Sequence, residues 1–316
     1  MKRILLAAIA AASLAVPAFA QTDELTIMAP AAPGGGWDQT ARSMQQALQE
    51  EKIVGNVQVV NVPGAGGTIG LAQFVNSNSG DATKLIVGGY VMVGAIIANQ
   101  SPVTLEQVTP IARLTGEFEA VVVPAASDIK TMDDLVAKLK ADPGSVSWGG
   151  GSAGGVDHIL VGLIAQAAGV DPTKINYIPF SGGGEALAAI LGGQVTAGVS
   201  GTGEWEGQIA SGDLRLLAVS APERIEGLDA PTLKEAGLDV EVQNWRMVSA
   251  APGISDEQKA GLVDTIGKMA ESNAWKTILD QKGWANTFLA GDEFEAYLKD
   301  EIAGTTEILV ALGIAK

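Results

Sequence analysis

Five times along this chain a short apolar run stops at a cluster of small residues, mostly glycine, and a helix signature begins. The clusters are 34–36, 64–67, 149–155, 182–184 and 200–203. Leu25–Met28 leads into Pro33-Gly34-Gly35-Gly36, and the helix behind it repeats its apolar positions at Met44 and Leu48. Glycine admits φ > 0 and lets a ligand approach the backbone. A helix N-terminus leaves amide N–H groups unpaired and carries partial positive charge, so it suits an anion. A tight turn needs one or two glycines; three in a row cost backbone entropy beyond that need. The spacing therefore points to loops that bind anions.

Strands are expected at 57–62, 85–89, 120–123, 145–148, 175–179, 197–199, 214–219 and, as an extended segment, 240–250. Helices are expected from about Thr68, over 92–98, from Thr131, over 156–168 and 185–191, and two close the chain at 256–271 and 291–312. Thr131 followed by Asp133 and Asp134, with Leu135 and Leu139 four apart, is a helix start. Strands alternating with helices give an α/β fold with largely parallel sheets. Ligands in such sheets bind beyond the carboxyl ends of strands, where the glycine loops fall. The loops lie on both sides of residue 120, which implies two sheets facing each other. No low-complexity linker separates the halves, so the crossings should be strands, 121–123 and 242–248. The expected division is 21–120 plus 243–316 in one lobe and 121–242 in the other.

Composition removes several classes of function. The 316 residues are 47% hydrophobic, enough for two ordinary domains. There is no cysteine and one histidine, His158, which leaves no thiolate chemistry and little prospect of a zinc site. Residues 1–20 read as a secretory signal, with Lys2 and Arg3, an apolar run and Ala18-Phe19-Ala20 as the cleavage site. The formal charge is −16, and becomes two units more negative once Lys2 and Arg3 leave with the signal. Such a chain should avoid nucleic acid and anionic membranes. An anion would have to be held by local dipoles against the global field.

Single motifs carry less. Gly150-Gly151-Ser152-Ala153-Gly154 matches the GxSxG nucleophile elbow of serine hydrolases. Its base would have to be His158, which on the same helix points about 120° away from Ser152. A structural hydrogen bond is the simpler role for that histidine. Gly64-x-Gly66-x-x-x-Gly70 imitates a dinucleotide fingerprint, but in a chain of 40 glycines such spacing is cheap, and Asp81 sits in a turn. Asp38 and Arg42 are an i,i+4 ion pair or a site pair, Trp37 a cleft wall or core, and Arg246 a carboxylate ligand or a structural ion pair.

Taken together, PGGGWDQTAR (33–42), NVPGAGGTIG (61–70), YIPFSGGGEALAAILGG (177–193) and NWRMVSAAPGISD (244–256) resemble the substrate-binding proteins of tripartite tricarboxylate transporters, the Bug-type receptors. The resemblance covers essentially the whole mature chain. It implies a two-lobed periplasmic binding protein, a type II Venus flytrap, each lobe a mainly parallel sheet flanked by helices. It implies a small organic acid in the cleft, and a membrane permease of one large and one small subunit as partner. It implies no catalysis, no cofactor, no metal, no nucleic acid and a monomer. The ligand positions it suggests are Ala32, Pro33, Gly34, Gly35, Gly36, Trp37 and Asp38 in the first loop, with Gly66 and Gly67 beside them. From the other lobe come Gly150, Gly151, Ser152, Ala153, Phe180, Ser181, Gly182, Gly183 and Ser200, and Arg246 completes the set. Gly154-Gly155-Val156-Asp157-His158 stands where many relatives are serine-rich, and GGGWD departs from the commoner first loop. Both forms look like the tricarboxylate branch, which favours a citrate-like di- or tricarboxylate. A serine hydrolase using Ser152 and a solute sensor for a membrane signalling partner are the other readings.

Overall fold

Leu25 and Ile27 alternate with more exposed neighbours and bury one face of β1 (Glu24–Ala29). Here the described part of the computed structural model begins; it covers residues 24–315. The expected signal at 1–20 lies outside the described residues. From β1 the chain alternates as anticipated through α1 (Gly36–Glu50), β2 (Asn56–Asn61), α2 (Thr68–Ser77), β3 (Lys84–Gly89) and α3 (Tyr90–Ala98). Met44 and Leu48 of α1 are fully buried against the sheet.

The next strand, β4 (Thr109–Pro124), organises the molecule. Its first part pairs antiparallel with β9 (Gln243–Ala250) on one side and β10 (Ala285–Ala290) on the other. From Glu119 onward it pairs instead with β7 (Ala197–Gly201) and β8 (Leu214–Val219). One strand thus belongs to two sheets. The first sheet runs β2-β1-β3-β9-β4-β10, and the second runs β8-β4-β7-β5-β6, with β5 (Ser147–Gly150) and β6 (Asn176–Pro179) at its edge. The chain returns to the first sheet where Gln243 pairs with Phe118, beside the outward crossing. Buried Ser220 ties the two crossings together: its Oγ accepts the Glu119 N–H at 2.8 Å and donates to the Val242 carbonyl at 2.6 Å.

The strand expected at 120–123 was therefore the last third of a much longer one. Val121 and Val123 pack into the larger core while Ala120 and Val122 pack on Ile190 and Trp205, so this stretch is apolar on both faces and legible. The earlier stretch carries Arg113, Glu117 and Glu119, and that polarity hid it. The second crossing sits at the start of β9, and the rest of 242–248 lies inside the first sheet. Parallel pairing holds for β1–β2, β1–β3, β5–β6 and β5–β7, as expected. The crossing strands enter antiparallel, so both sheets are mixed.

The remaining helices are α4 (Met132–Ala141), α5 (Val156–Ala167), α6 (Gly183–Leu191), α7 (Thr202–Ser211), α8 (Asp256–Glu271), α9 (Asn273–Lys282) and α10 (Gly291–Ala311). Thr131 and Asp134 close a capping box on α4, with Lys138 and Lys140 in its last turn. Three helices, not two, close the chain, with β10 among them. The signal for α9 was present: Ser272 as N-cap, Trp275, Ile278 and Leu279 as an apolar stripe, and Gly283 at φ +62° as its stop. Helix α7 buries only Trp205 and has no stripe to read.

Candidate functional site

The ends of β1, β5, β6 and β7 face one another across a cleft of about 1130 Å³. Three helices, α1, α5 and α6, start at its walls. Each is preceded by a loop in which one backbone amide is held by a side chain four residues on. Gly34 N–H donates to Asp38 Oδ2 at 2.8 Å, Gly154 N–H to His158 Nδ1 at 3.1 Å, and Ser181 N–H to Glu185 Oε2 at 3.1 Å. In the first two the turn also closes on itself, Gly35 N–H to Ala32 O and Gly155 N–H to Ser152 O. Gly34 and Gly154 take φ of +86° and +76°, which only glycine adopts without strain. These bonds tie each loop to the first turn of the helix it precedes. The loops leave first-turn amides, those of Gly36 and Trp37 in α1, without a partner inside the helix.

Ala32, Pro33, Gly34, Gly35, Gly36, Trp37, Gly66, Gly67, Gly151, Ser152, Ala153, Phe180, Ser181, Gly182, Gly183, Ser200 and Arg246 all line this cleft. Asp38 and Gly150 do not. The Asp38 side chain turns back on its own loop, where it meets Arg42 Nε at 3.0 Å and Asn61 Nδ2 at 2.8 Å as well as Gly34. Burial pushes this carboxyl up, but Arg42, the Gly34 amide and Asn61 together outweigh burial and hold it below the usual range. Gly150 lies behind the wall, where an added Cβ would come within 2.8 Å of Asp157 Cβ. Gly35 has extended backbone, φ −70°, so its role is not conformational. Gly36 is the position that space constrains: a Cβ there would lie 2.7 Å from Arg246 Nη2. Trp37 is both wall and core, 9% exposed and packed so closely on Gly67 that a Cβ there would sit 2.7 Å from the ring.

Behind the loops lies a group of acids that the sequence reading missed. Glu117 and Glu119 are two apart on β4 and so share a face. Asp157 and Glu204 stand in the first turns of α5 and α7. Arg246 Nη2 donates to Glu117 Oε1 at 2.6 Å, with both side chains 3% exposed, and its guanidinium lies 4.8 Å from the centre of the Trp284 ring. Trp284 Nε1 donates to Glu117 Oε2 at 3.0 Å. Arg246 Nη1 is buried and has no acceptor in the protein. Glu204 opens on the cleft and is exposed there. The protein packed around it and the Glu117 charge push it up, against Arg246 and the Ser200 hydroxyl. Two acids two apart beside the apolar run 120–123, Glu117-Phe118-Glu119, were the available signal.

His158 is committed away from Ser152. Its ring stacks on Tyr177, centroids 4.2 Å apart and planes 8° apart, and Nδ1 takes the Gly154 amide. Burial lowers its pKa to about 4, so it is a neutral acceptor at neutral pH. The nucleophile elbow therefore has no base. Among the described residues no group of histidine, aspartate and glutamate is arranged to hold a metal ion, and no helix is long and apolar enough to cross a membrane.

Residues 40–314 match the profile of the tripartite tricarboxylate transporter family receptor. A protein encoded in the gbd 5′ region of Cupriavidus necator is 29% identical over 98% of this chain and 95% of its own. Among solved structures, MatC from Rhodopseudomonas palustris with bound malate is 23% identical, covers 90% of this chain and 98% of its own, and has a TM-score of 0.77. Another R. palustris protein, with adipate, is 22% identical over 92% of this chain and 98% of its own, at a TM-score of 0.82. The resemblance in fold is end to end. A cleft walled by glycine-rich helix starts, a histidine with no catalytic partner, and a profile match over most of the chain agree: this protein belongs to the tripartite tricarboxylate transporter receptor family, whose members are periplasmic solute-binding receptors and not enzymes.

Proposed function

We propose that the protein captures a small di- or tricarboxylate of the citrate type in the periplasm and delivers it to a permease of one large and one small membrane subunit. The observation that carries this is the meeting of three glycine-lined helix starts, α1, α5 and α6, on one cleft. Neutral backbone donors can hold an anion where the global charge repels it. Arg246 supplies one cation in the wall of the cleft, and its buried Nη1 has no acceptor in the protein. The malate and adipate held by the two structural neighbours are carboxylates of the same size class. The chain works as a monomer, exported with cleavage after Ala20.

The lobes are 21–120 plus 243–316 and 121–242. In support, β4 changes sheets between Phe118 and Glu119, next to the return at Gln243. The test is thermal unfolding in the presence of malate, adipate, citrate and other small organic acids, followed by calorimetric titration. A ligand at about 100 times its Kd stabilises the native state by about 2.7 kcal/mol, a readable rise in Tm. If no acid in the panel raises Tm and amino acids or sugars do, the carboxylate reading is wrong.

A further inference from the structure

Glu119 is fully buried, and neither of its carboxyl oxygens meets a hydrogen-bond donor of the ordinary kind. A bare carboxylate in that position would cost several kcal/mol. Strand β7 pairs with both β4 and β5, which brings Glu119 toward the Gly151 loop, and Asp157 is the charge that bears on it most strongly. Two carboxylates are acceptors only, so this pair can form a hydrogen bond only if one of them carries a proton. Asp157 is the better place for the charge. It lies in the first turn of α5, where the helix dipole favours an anion, and its Oδ2 accepts the Gly151 N–H. Glu119 has no such donor. We propose that Glu119 keeps its proton at neutral pH and donates it to Asp157, and that this bond positions the Gly151 loop at the wall of the cleft.

The surroundings agree from every side. Glu117 lies on the same strand, Asp157 on α5, Glu204 on α7 and Tyr177 on β6, whose OH donates to the Gly151 carbonyl at 2.8 Å. Arg246, on β9, is taken by Glu117. Burial first, then the charges of Asp157, Glu117 and Glu204, push Glu119 well above its ordinary value of 4.5. Burial raises Asp157 to about 7 against the pull of the Gly151 amide. A raised acid stabilises the fold below its unfolded pKa and loses that contribution as pH rises through the folded one. The loop should therefore loosen on the alkaline side. That consequence rests on the receptor reading; the proton itself does not.

The experiment needs no ligand. Infrared difference spectra of the wild-type chain against Glu119→Gln at neutral pH should contain the C=O stretch of one protonated carboxyl. Glutamine can still donate to Asp157, whereas Glu119→Met cannot. The Gly151 amide resonance should stay in place in the first variant and move in the second. From about pH 5 to about pH 9 the wild-type Tm should fall by several degrees, and that of Glu119→Gln by clearly less. Absence of the carboxyl band, equal displacement of Gly151 by both variants, or identical pH slopes would each overturn the proposal. If the variants do not fold, the wild-type protein still decides. Its carboxyl band and its Gly151 resonance must change together as pH rises, and independent midpoints would refute the link. A failed ligand screen leaves this test intact, and its failure leaves the receptor reading standing.

Discussion

Replacing Arg246 by methionine tests the idea that one buried ion pair holds the floor of the cleft. At 2.6 Å the Arg246–Glu117 attraction is about 6 kcal/mol at an effective dielectric constant of 20. Removing each ion from water costs several kcal/mol, so the intact pair is close to neutral in net stability. Breaking it is another matter. Glu117, 3% exposed, would keep only the Trp284 N–H, and the guanidinium would vanish from its place against the Trp284 ring. The expected loss is about 3–5 kcal/mol, or about 5–8 °C in Tm for a chain of this size. Arg246→Met combined with Glu117→Gln should recover most of that loss, because the amide needs no counter-ion and its oxygen can still accept from Trp284. Urea unfolding followed by tryptophan fluorescence and far-UV circular dichroism measures both. If the single variant stays within 1 kcal/mol of wild type, or the double variant is no more stable than the single, the pair is not what organises this floor.

Two further outcomes are expected. Gly94, in the middle of α3, faces the Gly154 carbonyl so closely that an added Cβ would overlap it. If the lobes open without ligand, Gly94→Ala should leave the free protein as stable or up to about 1 kcal/mol more so, through helix propensity. It should also weaken ligand binding by at least about tenfold and prevent the ligand-induced fall in radius of gyration that small-angle scattering would measure; unchanged affinity would refute closure over this contact. Burial depresses the folded pKa of His158 to about 4 from an ordinary 6.5, so its neutral form stabilises the fold above the unfolded value and that stability is lost as pH falls between the two. His158→Gln, which can still accept the Gly154 amide, should flatten the acid limb of the Tm–pH curve, and an unaltered limb would mean that His158 does not titrate there.

The sequence alone determined the alternation of strand and helix and the glycine-rich loops that wall the cleft. Both are local: apolar period and glycine clusters report what a segment of ten residues needs. It also determined the family, since PGGGWDQTAR and YIPFSGGGEALAAILGG carry that resemblance without any knowledge of contacts. Tertiary structure decided the rest. Asp38 and His158 hold equivalent glycine amides on two loops, a kinship visible only when Gly34 and Gly154 are seen to share one conformation. Glycine clusters said nothing of which glycine is constrained by φ, as Gly34 is, and which by a neighbour far along the chain, as Gly36 is by Arg246. The long β4 was hidden by Arg113, which packs on Tyr297 of α10, and by Glu117 and Glu119, which face groups brought in by β9, α5 and α7. A buried charge is stable only with partners, and those partners come from distant segments, so no local pattern could have placed Glu119 against Asp157.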